Sequence, residues 1–132
     1  MEQINEKYFD DIIKLMSEFK LSKSTIYGES WIKRGEVGAF FTIARKWDRL
    51  EEMISISMKT KNIDDEGNLI DGSIFGKESF LDTIADLGIY CLMWVKFIKD
   101  KRPDEYKEFE SAAKELDRKS TRLNSSHESP SS

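Results

Sequence analysis

Histidine is all but missing from this sequence. Its one copy, His127, lies in a Ser-rich tail, so residues 1–116 have none. That excludes Ser-His-Asp and Cys-His catalysis there and argues strongly against a zinc site. Cysteine also occurs once, as Cys91. No disulfide can form within the chain, which fits a reducing cytoplasm. Cys91 sits in an apolar stretch and reads as a small core residue. Only two prolines occur, Pro103 and one in the tail, in agreement with an all-α bundle. The longest apolar run, Leu87 to Val95, is much too short to span a bilayer. The charged opening MEQINEKYFDD does not read as a signal peptide.

The C-terminal stretch needs separate treatment. Residues 117–127, DRKSTRLNSSH, resemble the translation of a common sequencing adaptor, so 117–132 is set aside as a non-native tail. The remaining 1–116 suit one compact domain. The chain carries 21 Lys+Arg and 25 Asp+Glu; removing three basic and two acidic residues with the tail leaves 18 against 23, or −5. That balance argues against general nucleic-acid binding. A charged small molecule held by local features is the easier partner.

Helical spacing dominates. A first helix is expected from about Asn5 to Leu21, with Tyr8, Ile12, Leu15 and Phe19 in one stripe widened by Phe9, Ile13 and Met16. The Gly- and Ser-containing segment SKSTIYGESWIKRGEVG reads as a loop or broken turn. A second helix runs from about Glu36 to Lys59. The long connection TKNIDDEGNLIDGSIFG allows a short hairpin, and its DDEGNLIDG does not fit the EF-hand spacing. A third helix spans about Lys77 to Asp100. After Pro103 comes a polar fourth helix, DEYKEFESAAKEL, with Tyr106, Phe109 and Ala113 facing inward. The expected fold is all-α: a four-helix bundle with a long loop between its second and third helices.

The third helix carries the chemistry. Glu78, Asp82 and Asp86 recur every four residues, on one narrow face of an otherwise apolar segment. Buried carboxylates demand cationic partners. On the second helix, advancing about 100° per residue gathers Phe40, Trp47, Ile54 and Met58 on one side. Glu51 falls inside that apolar arc, Asp48 beside it and Glu52 at its edge, while Arg45, Lys46 and Arg49 point away or toward the rim. Packing the two helices side by side would then face Asp48 and Glu51 toward Asp82 and Asp86. An oxygen-only cluster of that kind suits Mg²⁺ or Mn²⁺. The competing reading is an ion-pair network in which Arg34, Arg45, Lys46 and Arg49 neutralise the acids.

Three blocks carry a resemblance: YGESW at 27–31, RGEVGAFFTIARKWDRLEE at 34–52 and ESFLDTIADLGIY at 78–90. In order and spacing they resemble the phage-associated family called nucleotide modification associated domain 1, related to the MazG-like all-α nucleoside triphosphate pyrophosphatases. ADLGIY is similar to the stretch closing the second acidic motif of those enzymes. The resemblance implies an E-x-x-E helix and an E-x-x-D helix holding Mg²⁺ over a triphosphate, with water releasing a nucleoside monophosphate and pyrophosphate. It carries Asp48 and Glu51 onto the first motif and Asp86 onto the end of the second. Thr83 stands where the second motif has its Glu, leaving Asp82 or Glu78 to substitute.

These readings set the expectations. Asp48, Glu51, Glu78, Asp82 and Asp86 are candidate metal ligands, with Glu51 and Asp82 as candidate catalytic carboxylates. Arg34, Arg45, Lys46 and Arg49 are candidate phosphate contacts, and Trp31 or Tyr27 would stack on a base. The alternative for Gly28, Gly35 and Trp31 is a purely structural role in turns and core. The expected activity is Mg²⁺-dependent nucleotide binding with pyrophosphohydrolysis. Its alternative is a non-enzymatic phage protein that sequesters a nucleotide, such as a host defence signal. A third reading is an interaction module with an ion-pair core. MazG-like bundles assemble as dimers or tetramers, so the resemblance implies a homodimer or homotetramer.

Overall fold

A computed structural model describes residues 5, 7–27 and 32–128, with side chains described outside 20–27 and 121–128. Among the described residues there are four α-helices and no strand: α1 (Asp10–Tyr27), α2 (Gly35–Lys59), α3 (Phe80–Lys101) and α4 (Pro103–Glu128). The all-α class is as expected. The chain divides into two compact units, residues 1–94 and 95–132, with the boundary inside α3.

Two helix boundaries depart from expectation at α1. The helix begins at Asp10 rather than near Asn5, because a turn comes first: Asn5 Oδ1 accepts the Lys7 N–H at 2.8 Å. Asp10 and Asp11 then occupy the first turn, where carboxylates favour the exposed amides. At the other end α1 continues through SKSTIY to Tyr27. No glycine or proline interrupts that segment before Gly28, and Ser, Lys and Thr alone do not end a helix.

In the first unit α2 and α3 meet along a narrow stripe. The buried residues of α2 are Ala39, Leu50, Met53 and Ser57, and those of α3 are Thr83, Asp86 and Ile89. Half-buried Lys46 lies on the α2 stripe, four residues before Leu50. This stripe sits one residue, about 100°, back from the expected one. Phe40 and Trp47 are therefore 54 % and 60 % exposed, and Ile54 and Met58 are also outside the core. Ala39 and Met53 offer a small and an adaptable surface to α3, whereas the aromatic side would hold the helices apart. Cys91, expected in the core, is exposed for a related reason: it falls off the α3 face that carries Thr83, Asp86 and Ile89. Trp94 is tied down instead, its Nε1–H donating to Glu36 Oε1 at 2.6 Å.

The connection from α2 to α3 is organised by buried Asn62. Its Nδ2 donates to Ser57 Oγ and to the Asp71 carbonyl, and its Oδ1 accepts the Asp71 N–H at 3.0 Å. Between these anchors Ile63 and Leu69 form one isolated antiparallel bridge, where the sequence allows a short hairpin. Asp64 Oδ1 closes the turn by accepting the Glu66 and Asn68 amides. Gly67 supplies its φ of +86°, which a side chain would strain.

α3 starts at Phe80 rather than Lys77 because Ser79 and Asp82 form a capping box. The Ser79 N–H donates to Asp82 Oδ2 and the Asp82 N–H donates to Ser79 Oγ, each at 3.0 Å.

The second unit contains the end of α3 and all of α4. Pro103 takes the first position of α4, where its missing N–H costs nothing. Lys99 Nζ lies 5.1 Å from the centre of the Tyr106 ring. Phe109, expected to face inward, is 61 % exposed, and Ala113 is exposed as well. α4 carries too few apolar residues to make a continuous inner face. Its backbone runs on through Asp117 to Glu128, without a break at the junction of 116 and 117. No helix among the described residues is long and apolar enough to cross a membrane.

Candidate functional site

The rotated α2 stripe decides which side chains meet the acidic row. Lys46 and Arg49, not Asp48 and Glu51, turn toward α3. Lys46 Nζ donates to Asp86 Oδ2 at 3.0 Å and to Glu78 Oε1 at 3.3 Å. Arg49 Nε lies 3.3 Å from Glu78 Oε2, yet makes no hydrogen bond there, so the attraction is Coulombic rather than directed. Its Nη2 donates to the Phe75 carbonyl at 3.3 Å, tethering the segment before α3. The Asp86 side chain is only 8 % exposed, and an ammonium partner is what makes that burial tolerable. Burial by itself disfavours the charged form of Lys46. Hydrogen bonding and attraction from Asp86, with Glu78 adding to both, outweigh it and hold the ammonium pKa above its ordinary 10.5.

These groups border a cavity of about 470 Å³, lined by Phe19 of α1, Lys46 of α2, Lys77 and Glu78 before α3, and Asp82, Asp86 and Tyr90 of α3. Sequence reasoning singled out four of the seven and missed Phe19, Lys77 and Tyr90. Tyr90 had a signal: it continues the four-residue row 78, 82, 86 by one more step. Lys77 is exposed, and among the described residues it has no ion-pair partner. Lys77 thus borders the cavity with no carboxylate of its own among them.

The other candidate residues lie elsewhere. Asp48 and Glu51 are exposed. Asp48 lines a different cavity, of about 760 Å³, with Lys33, Arg34, Arg45 and the apolar Val37 and Phe41. The expected facing of Asp48 and Glu51 toward Asp82 and Asp86 is therefore not what the chain adopts. Among the described residues no three His, Cys, Asp or Glu side chains converge as a metal group. Gly35 has φ +73° with open space around its Cβ position, so its conformation serves a turn. Trp31, Gly28 and the rest of 28–31 lie outside the described residues, as does the Tyr27 side chain.

The fit of a divalent ion to the acidic row can be judged from its neighbours. Asp82 is engaged in the α3 cap, Glu78 and Asp86 are bridged by Lys46, and Thr83 replaces a carboxylate with a hydroxyl. That hydroxyl donates back to the Ser79 carbonyl at 3.1 Å and is fully buried. As folded, these residues do not fit a resident divalent cation.

No protein-family model matches the chain, and no solved structure matches it. It is similar to a protein designated Gene 30 protein of Bacillus phage SP01, with 36 % identity over 110 residues. That alignment takes in 77 % of this chain and 48 % of the phage protein, so the chain spans about half the length of the curated relative it matches.

Proposed function

We propose that the chain binds a nucleotide, or a closely related phosphorylated small molecule, in the cavity between α1, α2 and α3. One observation carries this reading: Lys77 and Lys46 border the same cavity as the Phe19 and Tyr90 rings. Ammonium groups take phosphate oxygens, and an aromatic wall suits a base. The acids in the same cavity accept hydrogen bonds from sugar hydroxyls or an exocyclic amine. The resemblance of 27–31, 34–52 and 78–90 to the nucleotide modification associated domain 1 family implies the same ligand class.

Binding without cleavage is the form we favour. Thr83 and the Lys46 bridge leave the acidic row without the free carboxylates that a MazG-like pyrophosphohydrolase employs. The hydrolytic reading retains one supporting observation, that Glu78, Asp82 and Asp86 all open onto one cavity. Calorimetric titration of a nucleotide panel, with and without Mg²⁺ and followed by product analysis, tests both. Saturable binding with the nucleotide recovered intact supports sequestration. Pyrophosphate release lost in Asp86→Asn supports the enzyme. No binding of any member overturns both.

A second copy of the chain is the partner we infer for the outer face of α2. Ala39, Leu50, Met53 and Ile89 are the buried hydrophobics among the described residues, while Phe40, Trp47 and Met58 on α2 are each more than half exposed. An apolar stripe of that extent marks an interaction surface.

A further inference from the structure

We propose that Lys46 is the resident cation of the acidic row, placed where a divalent metal would otherwise sit, so that the folded chain has no divalent-ion site there. The inference rests on the ammonium bridge alone and stands whether or not the cavity takes a nucleotide.

The geometry points this way for three reasons. Lys46 Nζ donates to carboxylates from two separate segments, Glu78 before α3 and Asp86 within it. A divalent ion between the same oxygens needs contacts of about 2.0–2.6 Å. The ammonium distances of 3.0 and 3.3 Å therefore differ from a metal site by only about an ångström per ligand. Position matters as much as distance. Lys46 lies on the packed stripe of α2, four residues before buried Leu50, and its side chain is only about one quarter exposed.

The chemistry of the two cations differs in a useful way. A divalent ion would bring a second positive charge and hold waters that could attack a phosphate. A tethered ammonium supplies one charge, three donors and no activated water. The charge of Glu78 and Asp86 is thereby partly offset without acquiring hydrolytic chemistry. Any phosphate entering the cavity meets Lys46 and Lys77 directly, without a bridging ion.

The test uses the full chain with Mn²⁺ as probe, its binding followed by electron paramagnetic resonance. The native chain is expected to bind Mn²⁺ no tighter than the millimolar range, with no change on Glu78→Gln. Lys46→Gln removes the ammonium at similar length and is expected to bind Mn²⁺ about tenfold tighter or more. Adding Glu78→Gln to Lys46→Gln is expected to abolish that gain. Two results would overturn the proposal. One is a Lys46→Gln protein, folded by circular dichroism, whose Mn²⁺ affinity equals that of the native chain. The other is native Mn²⁺ binding that Glu78→Gln or Asp86→Asn weakens, a readout that needs no Lys46 variant to fold.

Discussion

Lys46 Nζ and Asp86 Oδ2 lie 3.0 Å apart and join α2 to α3 across forty positions of sequence. The carboxylate is nearly buried and the ammonium is about one quarter exposed, so the contact is neither a surface pair nor a dry one. Removing the cation leaves Asp86 charged at low exposure. Lys46→Met is expected to cost about 1–3 kcal/mol, below the full penalty for a completely buried pair because Lys46 retains some water. Urea denaturation checks it. Adding Asp86→Asn should recover much of the loss, and an uncoupled double-mutant cycle would count against the contact.

The same pair gives a pH dependence of defined sign. The Lys46 pKa is raised in the folded chain, so its contribution is fully present below the ordinary 10.5 and is lost as pH rises through the higher folded value. Denaturation midpoints compared across alkaline pH should show the native chain losing stability relative to Lys46→Met above 10.5. Parallel curves would show that the ammonium gains nothing from its partners.

Asp82 has a structural duty that a site assignment alone would miss. Because it closes the capping box with Ser79, Asp82→Ala is expected to lower stability by about 0.5–1 kcal/mol with no ligand present, and Ser79→Ala by about 1 kcal/mol. Thermal melts of the free protein read this directly. A melt unchanged by either substitution would mean that the cap does not hold α3.

The exposed α2 face predicts self-association. Trp47→Glu puts a charge on that face without touching the buried stripe, and sedimentation should show a shift toward monomer. Equal sedimentation of both proteins, or a monomeric native chain, would remove the second copy as the partner.

Much of this was legible in the residues, and the difference at the site itself has one main cause. Helical spacing located all four helices, and the row Glu78, Asp82, Asp86 pointed to the right face of α3. The side of α2 that meets it lies one residue from the side that the apolar spacing favours. Phe40, Trp47, Ile54 and Met58 outweigh Ala39, Leu50 and Met53 in hydrophobicity, but close helix approach depends on small and adaptable contacts. That single rotation exchanged Asp48 and Glu51 for Lys46 and Arg49, and so turned an expected four-carboxylate cluster into an ion-paired one. Ser79 and Asp82 spelled a capping box in sequence, but the metal reading claimed Asp82 first. Lys77 gave no periodic signal, since it precedes α3 and reaches the cavity only through the fold of the loop.

The cavity bordered by Lys46, Lys77, Phe19 and Tyr90 is proposed to bind a nucleotide and leave it whole. Isothermal titration of the full chain against nucleoside mono-, di- and triphosphates in the presence of a chelator tests it most directly. Saturable binding of at least one of them is expected, weakened about tenfold or more by Lys77→Ala, with the ligand recovered intact. Heat of binding absent across the whole panel would contradict it, as would binding that Lys77→Ala leaves unchanged.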